Sequence, residues 1–167
     1  MPRLEILSRV SERIMAADVL TEADRQFLLS RRQKLQDSYE ALRFPLSPCA
    51  VHGDAHSDNL IKAADGTVIL IDFERFAFGP PETDLAVTAI EHSLGWGTRA
   101  DYDGFAERYG FDVLAWDGYP VLREINELKM TTWLMQNIKE DEAIAQEFRN
   151  RMFCLKNPDA PRRWRAF

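Results

Sequence analysis

The sequence predicts an α+β fold that is mostly helical and contains a small β-hairpin. Apolar residues recur at helical spacing toward both ends of the chain, and two apolar runs separated by a turn lie near its middle. All eight glycines fall between Gly53 and Gly118, which leaves the first third free of this helix-breaking residue. Because the chain has 167 residues, 46% of them hydrophobic, we expect a single domain over residues 1–167.

The first third of the chain predicts two helices. The first is indicated by apolar residues at intervals of three to four, namely Leu4, Leu7, Val10 and Ile14. Thr21, followed three residues later by Asp24, resembles a capping box and predicts the start of the second helix. The apolar positions of this helix lie mainly on one side and are Phe27, Leu28, Leu35, Tyr39 and Leu42. Pro45 and Pro48 then end the helical pattern.

The middle of the chain predicts short strands. Residues 49–51 are a strand candidate, and the runs 59–62 (Asn-Leu-Ile-Lys) and 68–71 (Val-Ile-Leu-Ile) flank a turn that contains Asp65-Gly66. An Asp-Gly pair favours the positive φ of a hairpin turn. The second run is continuously apolar, which predicts a strand buried on both faces. Residues 76–81 are expected to form a loop.

Two helices are expected after this loop. The first begins at Thr83 or Asp84 and ends before Gly95. The second covers about residues 101–109 and ends at Gly110, since glycine is the usual residue just past a helix.

The last part of the chain predicts helices at about 120–137 and 141–156. They are expected to bury Val121, Leu122, Ile125, Leu128, Trp133, Leu134, Ile144, Phe148, Met152 and Phe153. Arg162, Arg163 and Arg165 surround Trp164 in the only dense basic cluster, which we interpret as a solvated tail.

Composition excludes several classes of function. A formal net charge of -6 argues against nucleic-acid binding, which depends on clustered Lys and Arg. The sequence has no apolar run near the roughly 20 residues of a membrane span and no signal-peptide core, so we expect a cytoplasmic protein that does not bind membranes. The two cysteines, Cys49 and Cys154, are too few for a disulfide scaffold and too isolated for a zinc site.

Residues that could carry chemistry are concentrated in the stretch 52–59 and at Asp72, the end of the predicted hairpin. Phosphoryl transfer from a nucleotide needs a carboxylate that accepts the proton of the attacking hydroxyl and oxygen ligands that hold Mg²⁺. Asp54 is placed as that base, and Asn59 and Asp72 as the oxygen ligands, because protein kinases use an Asp and an Asn at this spacing. His52 is expected to orient the loop rather than to titrate in catalysis.

These residues resemble the aminoglycoside phosphotransferase and choline-kinase-like family. The resemblance rests on His52-Gly53-Asp54 with Asn59, on Ile71-Asp72-Phe73-Glu74, and on Thr83-Asp84-Leu85-Ala86. It implies the mostly helical C-terminal lobe of a protein-kinase-like fold and a kinase that uses ATP or GTP with Mg²⁺ or Mn²⁺. It also implies Asp54 as catalytic base, Asn59 and Asp72 as metal ligands, and Asp84 as a residue that steadies the catalytic loop.

The family resemblance also implies a preceding nucleotide-binding lobe with a glycine-rich hairpin and a strand lysine, and neither feature occurs before Asp54. We therefore expect a substrate- and metal-binding lobe with little activity alone. We further expect either a homodimer or a complex with a separately encoded nucleotide lobe, formed through the first apolar stripe, Leu4, Leu7, Val10 and Ile14.

Two other functions remain open at this point. His52, Asp54, His56 and Asp58 alternate, so on an extended strand they would share a face, like the ligands of a metal-dependent hydrolase. The chain could also be a kinase-like binding module without turnover. For a kinase, the substrate would be a small molecule with a hydroxyl group, and His56, Asp58 and Glu74 are candidate substrate-binding residues. Acidic groups near the loop favour a cationic substrate such as an aminosugar or amino alcohol.

Overall fold

The computed structural model describes all of residues 1–167 and confirms the mostly helical α+β class. The helices are α1 (Ser8–Ala16), α2 (Glu22–Glu40), α3 (Glu82–Ser93), α4 (Arg99–Tyr109), α5 (Tyr119–Leu134) and α6 (Glu142–Lys156). The strands are β1 (Cys49–Val51), β2 (Leu60–Lys62), β3 (Val68–Leu70) and β4 (Ala77–Gly79). Short 3₁₀ turns occur at Ser57–Asn59, Phe73–Arg75 and Val113–Ala115.

The chain divides into two compact units. One comprises Met1–Ile6 and Arg43–Tyr119, and the other comprises Leu7–Leu42 and Pro120–Phe167. The single domain expected from the sequence stays a prediction. No helix has both the length and the apolar character that crossing a bilayer requires.

Local capping signals place several helix ends where the sequence predicts them. Thr21 Oγ1 accepts a hydrogen bond of 3.1 Å from the Asp24 backbone N–H at the start of α2. Gly110, with a φ of 85°, ends α4 in the left-handed conformation that glycine adopts without steric cost. Asp141 caps α6 through the Ala143 N–H.

The unit that contains α1, α2, α5 and α6 has an aliphatic core. Its fully buried side chains include Leu7, Ile14, Leu28, Leu122, Ile125, Leu128, Leu134 and Leu155. Because Leu7, Val10 and Ile14 are buried here, the prediction that the first stripe is exposed for a partner is wrong, while the partner itself stays a prediction. Leu4 lies before α1, and its N–H bonds to the Phe78 carbonyl at 3.0 Å, so the first helix starts later than expected.

Two aromatic residues predicted for this core lie outside it. Trp133 is 38% exposed and Phe153 is 59% exposed. The buried side of α6 carries Phe148, Met152 and Leu155 at spacings of four and three, and Phe153 falls outside that stripe. In α5, Thr132, the neighbour of Trp133, is buried. Its hydroxyl donates a hydrogen bond to the Leu128 carbonyl at 3.0 Å.

The solvated tail predicted at the C-terminus is also wrong. Trp164 is 4% exposed, and the Arg151 guanidinium lies 5.0 Å from the centre of its ring. Glu147 pairs with Arg151 at 2.8 Å and accepts the Arg165 N–H at 3.0 Å. The buried indole and this buried ion pair fix a segment whose basic composition suggested exposure.

The other unit contains two separate antiparallel sheets of two strands. β1 pairs with β4, with Cys49 opposite Gly79 and Val51 opposite Ala77, so part of the loop predicted at 76–81 is a strand. β2 and β3 form the predicted hairpin, with Leu60 opposite Leu70. Every residue of β3 is exposed, however, so its predicted burial is wrong. The reason is that the hairpin pairs only with itself, and neither of its faces is covered within this chain.

The exposed hairpin predicts a difference between two matched substitutions. Ile69→Thr should change the free energy of unfolding by less than about 0.5 kcal/mol, because Ile69 is 47% exposed and threonine is also a good strand residue. Ile90→Thr in α3, where Ile90 is 2% exposed, should cost about 2–4 kcal/mol through lost burial and a buried hydroxyl. Urea denaturation measures both, and equal losses would show that the hairpin is packed.

Candidate active site

The Asp84 carboxylate holds the start of the loop formed by residues 52–59. Asp84 lies in the first turn of α3, and its two oxygens accept the N–H groups of His52 at 2.6 Å and of Gly53 at 2.9 Å. Charge-assisted hydrogen bonds of this kind are among the strongest in proteins. Asp84 therefore makes the contacts that its predicted orienting role requires.

The His52 ring ties the same loop to the end of the hairpin. His52 is 5% exposed, and its Nε2 lies 2.8 Å from the Ile71 carbonyl oxygen. On the other side of that residue, the Ile71 N–H donates to the Asn59 carbonyl at 2.9 Å. Since Ile71 is bonded to both ends of the loop, the next residue, Asp72, is fixed beside it.

Asp72 has an unusual backbone conformation. Its φ is 62°, and it is the single residue other than glycine with a positive φ in the chain. Aspartate is one of the few residues that adopt this left-handed conformation readily. The turn directs the chain from β3 into the 3₁₀ turn Phe73–Arg75, and Asp72 remains exposed at the junction.

Asn59 is buried at the far end of the loop, with 6% of its surface exposed. Its Nδ2 donates to the Asp54 carbonyl at 2.9 Å and lies 3.1 Å from His56 Nε2. These contacts engage the amide nitrogen, so the amide oxygen is the atom of Asn59 that suits a cation.

Asp54 forms an ion pair with Arg75. Arg75 Nη1 lies 3.1 Å from Asp54 Oδ2, and both side chains are partly exposed. The backbones are also close, because a Cβ added at Gly53 would lie 2.6 Å from the Arg75 carbonyl oxygen. Gly53 has a φ of 79°, which glycine adopts without steric cost. Its lack of a side chain also leaves room for the Arg75 carbonyl.

The candidate substrate-binding residues lie at the margin of the loop. His56 Nδ1 is 3.8 Å from Asp58 Oδ2, and the Asp58 side chain is 92% exposed. Glu74 is exposed in the turn that follows Asp72. Glu91, on α3, adds a carboxylate at this margin: its burial raises its pKa, His56 opposes the rise and Asp58 adds to it.

The arrangement needed by a metal-dependent hydrolase is not formed. Residues 53–56 are turn and loop rather than strand, and the His52 ring is engaged with Ile71. In the whole chain, no three or more His, Cys, Asp or Glu side chains are grouped so that they could hold a metal ion. The alternating residues His52, Asp54, His56 and Asp58 therefore do not come together as a metal site in the structure.

A comparison with protein-family models gives a match over residues 3–125 to the model described as the phosphotransferase enzyme family. The chain belongs to this phosphotransferase family. The resemblance inferred from the motifs is thereby confirmed at the level of the family. Neither the curated proteins nor the solved structures yielded a match to the chain.

The matched region of this phosphotransferase-family protein includes two residues that sequence reasoning missed. Arg75 carries no motif of its own, and only its contact with Asp54 marks it. Glu91 follows Asp84 by seven residues, which is two helical turns and therefore the same side of α3. That spacing was the available signal for Glu91, whereas no spacing pointed to Arg75.

Two glycine substitutions test how tightly the loop is packed. Gly66→Ala should cost about 1 kcal/mol, because it strains a positive φ in open space. Gly53→Ala should cost about 3 kcal/mol or more, since the new methyl group also meets the Arg75 backbone. Free energies of unfolding from denaturant titration provide the measurement, and equal costs would contradict the close approach.

The raised pKa of Glu91 predicts a pH-dependent gain from Glu91→Gln. Because the folded pKa exceeds the unfolded one, ionised Glu91 destabilises the fold above its folded pKa, and this penalty disappears as the pH falls below the ordinary value of 4.5. Glu91→Gln should therefore raise the thermal midpoint at pH 7, and the gain should shrink toward pH 4. Glu107→Gln, at an exposed position of α4, controls for the loss of one charge. An equal gain at both pH values would contradict the burial effect.

Proposed function

We propose that this chain supplies the acceptor- and metal-binding residues of an ATP- or GTP-dependent phosphotransferase, which transfers the γ-phosphate to a hydroxyl group of a small molecule, and that the chain alone does so slowly. The carrying observation is that one hydrogen-bond network fastens the Asp54 loop to Asp72 through Ile71 and His52. Family membership supports phosphotransferase chemistry in general. The identity of the nucleotide, the class of acceptor and the roles of the individual residues are what we propose.

Asp54 is the proposed base. Its backbone is held on one side by the Gly53–Asp84 contact and on the other by Asn59. In the transfer step, the acceptor's O–H bond breaks and the proton passes to Asp54. The hydroxyl oxygen forms a bond to the γ-phosphorus, and the bond from that phosphorus to the bridging oxygen breaks. Its electron pair leaves with the nucleoside diphosphate.

The donor set fits Mg²⁺ or Mn²⁺. Asn59 would contribute an amide oxygen and Asp72 a carboxylate, with the remaining positions available to phosphate oxygens and water. Two hard oxygen donors without sulfur or imidazole are unsuited to a structural zinc site. When bound, the cation would neutralise phosphate charge, and the residues of this chain would hold it beside the loop.

The acceptor is proposed to be a cationic molecule with a hydroxyl group, such as an aminosugar or an amino alcohol. Asp58 and Glu74 present exposed carboxylates beside the loop, and Glu91 adds a half-buried one. Clustered negative charge raises the local concentration of a cationic ligand. His56, whose ring lies near both Asn59 and Asp58, is proposed to contact the same molecule.

Asp54→Asn tests the catalytic assignment against Asp58→Asn, a matched change four residues away. Asp54→Asn should lower kcat on the order of 1,000-fold, because the amide keeps the size of the carboxylate but cannot accept the proton. Asp58→Asn should chiefly raise KM for the acceptor, with kcat within about threefold. The measurement is phosphate transfer from radiolabelled ATP or GTP to a panel of aminosugars and amino alcohols with Mg²⁺.

The same assay separates the competing outcomes. Mg²⁺-dependent nucleotide binding without transfer to any acceptor would identify a binding module. The absence of both Mg²⁺-dependent nucleotide binding and even slow transfer would overturn the proposed function. Equal effects of the two substitutions on kcat would remove Asp54 from the catalytic role.

A further inference from the structure

The outer edge of strand β3 carries backbone groups without a partner in the chain. The Ile71 N–H bonds to the Asn59 carbonyl at 2.9 Å, so these two residues form a hydrogen-bonded pair of the hairpin. Bonded and non-bonded pairs alternate along an antiparallel ladder, so Leu70 and Val68 direct their N–H and C=O groups away from β2. Because the sheet has only two strands, no hydrogen bond within the chain takes up these outward groups.

The side chains of the hairpin are uncovered as well. Its five aliphatic side chains have exposed fractions between 38% and 61%, and they are Leu60, Ile61, Val68, Ile69 and Leu70. Across two copies of the hairpin, this exposed surface amounts to at most about 1,000 Å². Stable interfaces bury about 1,200–2,000 Å² in total and transient ones less, so the hairpin is large enough for a weak, reversible association.

The two edges of the hairpin differ in charge. Exposed apolar strand edges pair readily with other chains, and natural proteins often protect them with charged side chains, especially lysine. Strand β2 has such a charge in Lys62, whose N–H and C=O point outward. Strand β3 is Val68-Ile69-Leu70 and carries no charge. The edge of β3 is therefore the one that lacks protection against pairing.

The outward groups of β3 match those of a second, antiparallel copy of the same strand. When the two Ile69 residues lie opposite each other, Val68 of each copy lies opposite Leu70 of the other. Each of these two pairs can exchange both N–H···O=C bonds, so four hydrogen bonds satisfy every outward group. A shift of one residue would set outward groups against inward ones and lose these bonds.

We propose that β3 pairs with β3 of a second copy of this chain, across a twofold axis at Ile69, and so forms a weak homodimer with a four-stranded sheet. Ile61 and Ile69 of both copies form one apolar row on a face of this sheet. The homodimer predicted from the sequence thus forms through the hairpin and not through the buried side chains of α1. This inference does not depend on the proposed phosphotransfer.

Sedimentation equilibrium of the whole chain, at about 5–500 μM, measures the association. The dissociation constant should be on the order of 10–100 μM, because the interface is small. Ile69→Lys should raise this constant at least about tenfold, since two ammonium groups would meet at the axis, where the Cα atoms of a non-bonded pair are about 4.5 Å apart. The control Phe153→Lys changes an exposed apolar residue of α6 and should alter the constant less than about twofold.

A mixture of two variants distinguishes a lost interface from a lost fold. Ile69→Lys and Ile69→Asp should each be monomeric alone, because like charges would meet at the axis. Mixed in equal amounts, they should associate with a dissociation constant within about threefold of that of the unsubstituted chain, since opposite charges then face each other. A mixture that stays monomeric would overturn the proposal.

Disulfide cross-linking tests the register. In a Cys49→Ser background, Ile69→Cys should form a covalent dimer on mild oxidation, because a Cα separation of about 4.5 Å suits a disulfide. Val68→Cys is the matched control. In the same register its two copies lie about 8–9 Å apart, beyond the roughly 7 Å that a disulfide spans, so it should cross-link much less.

The remaining outcomes are equally decisive. A chain that is monomeric at about 500 μM would overturn the homodimer. If such a monomer instead bound a separately encoded nucleotide lobe, and Ile69→Lys weakened that binding, the lobe and not a second copy would be the partner of the hairpin. Dimers unaffected by Ile69→Lys, or equal cross-linking of Ile69→Cys and Val68→Cys, would place the interface elsewhere and overturn the proposal too. Because none of these measurements uses a nucleotide, the proposed phosphotransfer stands or fails separately.

Discussion

The candidate site depends on one carboxylate that accepts two consecutive backbone amides. Asp84 bonds the N–H groups of His52 and Gly53, and leaving such donors unpaired would cost about 1–3 kcal/mol each. Because α3 carries Asp84, the helix fixes where the loop starts. The His52 ring then reaches Ile71, and Ile71 determines where Asp72 lies. Helix α3 therefore fixes the position of the loop formed by residues 52–59.

Much of the fold could be predicted because its signals are local. The cap at Thr21 and the stop at Gly110 are decided by hydrogen bonds and φ angles within one turn, and both occur where predicted. Strand β4 could not be predicted, since three residues pair only because β1 lies beside them, far away in sequence. The prediction that β3 is buried was wrong for a related reason. An apolar run is buried only if another element covers it, and no element covers β3.

The candidate site shows the same division between local and distant signals. Asp54 and Asn59 are five residues apart, so their relation is visible in the sequence, and Asn59 does contact the Asp54 backbone. The ion pair of Asp54 with Arg75 joins a loop to a turn beyond the hairpin, and charge pairing across that distance leaves no periodicity to detect. The half-buried Glu91 depends likewise on what packs around α3.

The left-handed backbone at Asp72 restricts which substitutions at this position give an interpretable result. Most side chains pay about 1–2 kcal/mol to occupy that conformation, whereas asparagine and glycine tolerate it. An alanine scan would therefore mix two effects at Asp72, the loss of a carboxylate and a distortion of the turn that leads to Arg75. Asparagine preserves the turn while removing the charge, and glycine preserves it while removing the side chain. The backbone conformation therefore determines which substitutions can test the chemistry of Asp72: asparagine and glycine can, whereas alanine cannot.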